Sequence, residues 1–218
     1  MTSYFFRALI ILLPALGMSQ ADQVVFQPAT SISWNPESRW SFNTAMEQRT
    51  QIKDDTEAIS MQIAQFAQYE IGFYSQLGIG VMYRELFDEN QPEEVRFMEQ
   101  YVHTKKYNQI KLAHRLRWDQ RIRGDRTTHR WRYRLSGSIP LNGNVVDPSE
   151  YYMTGHLETL FIAENDQRPL YEQRAGLGIG KQLGSTFKLQ TSAQYRWFDI
   201  TEETSTLLFL NISLYVSL

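Results

Sequence analysis

Cysteine is absent from this chain of 218 residues. That excludes disulfides, thiolate metal sites and lipid attachment through a cysteine. Histidine is scarce: only His103, His114, His129 and His156 occur, without clustered carboxylates, so no metal or other cofactor is expected. None of the four is followed two residues later by serine. The serine–histidine arrangement that outer-membrane lipid hydrolases carry on one strand is therefore missing, and no enzymatic activity is expected. Apolar runs are short as well. The longest, residues 8–16, falls well below the roughly 20 residues that a spanning helix needs.

What is present begins with "MTSYFFRALIILLPALGMSQADQ". Arg7 precedes the apolar run, and Ser19 and Ala21 form a small-x-small pair, which predicts a secretory signal peptide over residues 1–21. Export makes nucleic acid an unsuitable partner, despite the arginines that follow. Removing this segment takes away Arg7 and no acid, so the formal net charge moves from −2 to −3. Residues 22–38, with Pro28 and Pro36, read as a linker.

From residue 39 onward the chain falls into segments of about ten residues that alternate apolar and polar positions. "HRWRYRLSG" (129–137) is the sharpest: Arg130, Arg132 and Arg134 interleave with Trp131, Tyr133 and Leu135. A helix would scatter these groups over several faces, whereas a strand puts all three arginines on one side. The same alternation marks 40–49, 58–64, 73–84, 110–121, 171–181, 187–197 and 208–218. It is weaker in 94–104, where Glu99 takes an apolar position, and in 151–162. His114 takes an apolar position too, which suggests a local bulge. Charged connections such as "DENQPE" and "DITEET" alternate with tight ones such as "YEIG" and "QLGS".

These features predict an all-β fold over residues 39–218, an antiparallel transmembrane β-barrel of about ten strands in the outer membrane. An even strand number returns both ends of the chain to the periplasmic rim. An arginine facing mid-bilayer lipid costs about 2–4 kcal/mol, so the arginines must face the lumen. Trp40, Tyr83, Trp118, Trp131, Tyr171 and Trp197 then form the interfacial girdles. The same parity sends thirteen cations inward: Arg49, Arg84, Arg96, Lys111, Arg115, Arg117, Arg121, Arg130, Arg132, Arg134, Arg174, Lys188 and Arg196. Only Glu47, Glu94, Asp119, Glu158 and Glu172 oppose them, with His156 beside Glu158.

The succession "EVRFMEQ", "HRLRWDQRIRG", "HRWRYRLSG", "HLETLF" and "YEQRAGLGIG" resembles the bacterial outer-membrane family called domain of unknown function 2490, over roughly residues 38–218. The resemblance implies an outer-membrane barrel and carries no activity. The end of the chain, with Asn211, Val216 and Leu218, resembles the terminal-strand signal read by the barrel-assembly machinery. Outer-membrane lipids and that machinery are therefore the expected partners, with small anions attracted by the lumen.

Four readings follow. The lumen charges fill the barrel as an ion-pair network, or their cationic surplus makes it a narrow anion-preferring conduit. A lipid-modifying enzyme would have to rely on a His156–Glu158 pair. A soluble periplasmic lipocalin-like barrel would turn its apolar face inward and its arginines outward.

Overall fold

The computed structural model describes residues 21–53, 56–88 and 90–218, so the predicted signal peptide lies outside the described residues except for Ala21. Eleven strands follow one another around a closed barrel. They are β1 (Gln23–Trp34), β2 (Trp40–Gln51), β3 (Glu57–Gly72), β4 (Ser75–Leu86), β5 (Glu94–Tyr107), β6 (Ile110–Arg123), β7 (Arg126–Pro140), β8 (Tyr151–Glu164), β9 (Leu170–Gln182), β10 (Phe187–Phe198) and β11 (Ser205–Ser217). Neighbours in sequence pair antiparallel, and β1 closes the barrel against β11.

Two expectations are corrected here. Among the described residues the strand count is eleven, because residues 23–34, expected to be linker, form β1. An odd count makes the first and last strands run the same way, so the β1–β11 seam is parallel, from Gln23↔Leu207 to Ser33↔Ser217. The start of β1 and the end of β11 therefore lie at opposite rims, not together at one. The first rim carries the start of β1 and the connections after β2, β4, β6, β8 and β10. The second carries the other connections and the end of β11. At the first rim Asp22 accepts from the Thr206 N–H (2.7 Å) and hydroxyl (2.9 Å). That backbone donor holds its carboxyl below the usual range.

The polar connections "DENQPE" and "DITEET" both fall at the first rim and "YEIG" and "QLGS" at the second, but length does not divide the rims: the two-residue turn Gly124–Asp125 lies at the first and the ten-residue connection 141–150 at the second. The turn assigned to "YEIG" is in fact Phe73–Tyr74, with Tyr74 at φ 69°, because β3 runs on through Gly72. Around His114 the pairing on both sides is unbroken, so the expected bulge is absent. Its ring instead meets the Tyr133 hydroxyl at 2.8 Å on the outer face.

Strand alternation sorts the chemistry as the spacing predicts. Leu157 (62 % exposed), Leu177 and Ile79 face outward, while Glu158 (1 %), Glu94 and Asp119 are buried inside. Aromatic rings gather on the outer face toward both rims. Trp118, Trp131, Phe161 and Tyr171 form a chain with neighbouring centroids 5.2–6.3 Å apart near the first. Trp34, Phe42, Trp40 and Tyr69 form another near the second, with centroids 4.9–6.3 Å apart. Glu99 pairs in register with Trp118, level with the first belt, which explains an outward carboxylate at an apolar position.

Inside, glycines on β9 make room for rings on β8. A Cβ at Gly180 would stand 2.2 Å from Tyr152 Cζ, and one at Gly176 would stand 2.2 Å from His156 Cε1. Gly178 is tighter in a different way, since its Cβ would meet the Thr191 backbone oxygen at 2.9 Å and Ser192 Cβ at 2.8 Å. Backbone cannot swing aside as a side chain can. Gly178→Ala is expected to cost about 1–3 kcal/mol of stability. Gly184→Ala, where nothing lies within 4 Å, should leave the denaturation midpoint unchanged; equal midpoints for the two variants would contradict this packing.

Candidate functional site: the arginine lumen

Three consecutive strands, and β9 beyond them, deliver arginine to the interior because each keeps its period of two for several residues. β5 supplies Arg96, β6 supplies Arg115, Arg117 and Arg121, β7 supplies Arg130, Arg132 and Arg134, and β9 supplies Arg174 across β8. Together with Arg49, Arg84, Arg123 and Arg196 they line a cavity of about 830 Å³. Lys111 and Lys188, also expected inside, are exposed at the second rim and do not line it.

Two carboxylates organise these cations. Glu158 on β8 accepts from Arg115 (2.9 Å), Arg132 (2.9 Å), Arg134 (3.0 Å) and Arg174 (3.3 Å). Glu94 on β5 is ringed by Arg84 (3.4 Å), Arg121 (3.1 Å), Arg123 (2.5 Å) and Arg96. Arg132 also reaches Asp119 at 3.1 Å, and Arg174 reaches Glu172 at 2.6 Å, so both extend the Glu158 centre along the barrel. Charge-assisted bonds of this kind are the strong ones. Leu160, fully buried, lies between Arg132 and Glu172 in register.

Other arginines find no carboxylate. Arg117 donates to Gln100 Oε1 at 2.7 Å and lies 4.7 Å from the centroid of the Phe66 ring. Arg196 lies 3.5 Å from that of Phe209 and donates to Gln194. A ring face attracts a cation without neutralising it. Arg130 is 4 % exposed, and among the described residues it makes neither a hydrogen bond nor an ion pair within 4.0 Å. Its Nε is buried without a partner, as are Asp119 Oδ1 and Glu172 Oε2.

The structure thus places every sequence-derived lumen residue, Arg96, Arg115, Arg117, Asp119, Arg121, Arg130, Arg132, Arg134, His156, Glu158 and Arg174, on the inner face. It does not pair His156 with Glu158. The Gln194 amide meets His156 Nε2 at 2.7 Å, while the Glu158 oxygens are taken by arginines. Sequence reasoning missed Arg123, Phe66, Phe209 and Gln27. Phe66 lies beyond the point where segment 58–64 was cut, and Phe209 is hidden in the apolar run before Asn211. Continuing the same alternation by two residues finds both. Gln27 lies on the overlooked β1, where it bonds Glu47 at 2.9 Å and Arg49 at 3.0 Å.

No curated protein and no solved structure matches the chain. A family model described as Protein of unknown function (DUF2490) matches residues 23–206, which begins with β1 and so starts earlier than the resemblance over residues 38–218. With most of its length matched and the barrel closed by the strand at which that match begins, the chain belongs to the DUF2490 family.

Proposed function

We propose that this protein is an outer-membrane barrel whose lumen takes up and passes small anions. The observation that carries this reading is the charge ratio around the cavity: among the described residues twelve arginines line it, with Glu47 and Glu172 in the same lining and Glu94, Asp119 and Glu158 buried on the inner face. Rings of arginine set selectivity electrostatically, and the surplus leaves guanidinium groups free to meet a passing anion. Arg130 is the clearest such group.

The membrane location draws support from the outer surface. An apolar face between two aromatic belts suits lipid, and barrel closure satisfies the backbone where no water can. The signal-peptide pattern and the terminal-strand signal suit export and insertion by the barrel-assembly machinery. A soluble lipocalin-like barrel would have the two faces reversed. No catalytic step belongs to this reading, since His156 is committed to Gln194 and the Glu158 oxygens to arginines.

Planar-bilayer recording of the purified protein in a potassium chloride gradient tests it. The reversal potential should have the sign of chloride preference. Arg130→Gln should move it toward zero without lowering stability, because no carboxylate loses an ion pair. A cation-selective current, or none with intact protein inserted, would overturn the reading.

A further inference from the structure

The wall between lumen and outer face is irregular at one place. β1 and β2 pair at Val25↔Gln51 and Phe26↔Thr50, and pairing resumes only at Ala29↔Glu47. Gln27 and Pro28 have no ladder partner on β2, whereas β1 pairs with β11 without interruption from Gln23 to Ser33. Proline has no N–H to give to a ladder, which accounts for the break on that side. The next seam is disturbed beside it, with a register shift between Arg49 and Thr50 on β2. Two irregularities, one on each of two adjacent seams, therefore meet at one spot.

Outside that spot lies an apolar groove of about 280 Å³, lined by Pro28, Met46, Met61, Leu189, Ile212 and Leu214. Ala29, Thr30 and Glu47 line both this groove and the arginine cavity. Methionine and branched aliphatic side chains dominate the groove, with Thr30 and Gln48 polar and Glu47 the one charged group in its lining. That carboxylate is already engaged by Gln27 (2.9 Å), Gln62 (2.7 Å) and Arg49 (4.0 Å). Arg49, immediately inside, donates through Nε to Gln27.

Resting on the anion reading of the lumen, we propose that the unpaired Gln27–Pro28 stretch is a lateral port for a long-chain fatty acid. Its carboxylate enters the arginine cavity at Arg49, and its acyl chain lies in the outer groove. Charge complementarity selects the head, and the methionine-lined groove adapts to the chain. The small cross-section of a carboxylate suits an opening only two ladder pairs long.

The test uses the protein reconstituted in phosphatidylcholine vesicles with a diazirine-bearing palmitic acid, mapping cross-links by mass spectrometry and recording conductance in parallel. Label should concentrate on Met46, Met61 and Ile212. The methyl ester of the same probe should label them about tenfold less, the effect expected for losing one charge-assisted contact. With no native cysteine to interfere, a Pro28→Cys/Gln48→Cys pair can be oxidised across the gap. It should abolish the concentrated label, while a Val81→Cys/Phe97→Cys pair on the unbroken β4–β5 seam should not. Even labelling around the barrel, equal labelling by the ester, or label that survives the Pro28–Gln48 lock would each overturn the port. Chloride-selective current without localised label would overturn the port alone; absence of both would overturn the lumen reading too.

Discussion

Glu158→Gln should cost the barrel about 3–5 kcal/mol, because it leaves four arginines around a buried position without their shared carboxylate. Arg134→Gln should cost much less, since Glu158 keeps Arg115, Arg132 and Arg174. The asymmetry follows from scarcity: one carboxylate serves four cations, so it is the member that cannot be spared. Added sulfate should restore part of the lost stability in Glu158→Gln by replacing the missing negative charge, and should do little for Arg134→Gln. Denaturant unfolding in detergent, with and without sulfate, reads both effects. Equal losses, or a Glu158→Gln loss indifferent to sulfate, would mean that water already screens the cluster.

Leu157→Arg should nearly abolish insertion into vesicles. Leu157 neighbours Glu158 in the chain but points the other way, between Leu135 and Ala175 on the outer face. Arginine at mid-bilayer on that face costs about 2–4 kcal/mol, and no nearby carboxylate relieves it. The folded fraction, read as a heat-dependent gel shift after refolding into vesicles, should collapse for Leu157→Arg while Leu157→Val refolds normally. Normal refolding of the arginine variant would show that lipid does not cover this face, and the membrane reading would fall.

The arginine face was legible in the sequence because charge and period reinforce each other. Nothing but a strand puts Arg130, Arg132 and Arg134 on one side and Trp131, Tyr133 and Leu135 on the other. β1 was illegible for the opposite reason. Val24, Phe26, Ile32 and Trp34 outward do alternate with Gln23, Gln27, Ser31 and Ser33 inward, but Pro28 and Thr30 outward and Val25 and Ala29 inward blur the middle of the strand, and no charge marks its inner face. A proline inside a strand also argues against that strand, unless one of its neighbours can do without an N–H. The bonding pattern within the lumen was equally out of reach. Alternation says that His156 and Glu158 share a face, but which partner each one takes depends on Gln194 and Arg174, set beside them by the register of β9 and β10.

The parallel seam also bears on how the chain reaches its folded form. Every other ladder joins strands adjacent in sequence and can grow as a hairpin. The β1–β11 ladder alone demands that the two ends of the fold meet, as in the Asp22–Thr206 contact, 184 residues apart. Closing so long a loop carries the largest entropy cost of any step and slows folding. Until it happens, the ten antiparallel ladders form a curled sheet with two bare edges, open to pairing with other chains. Closure removes both edges in a single event, so its rate, more than the stability of any hairpin, should decide between a finished barrel and an aggregate.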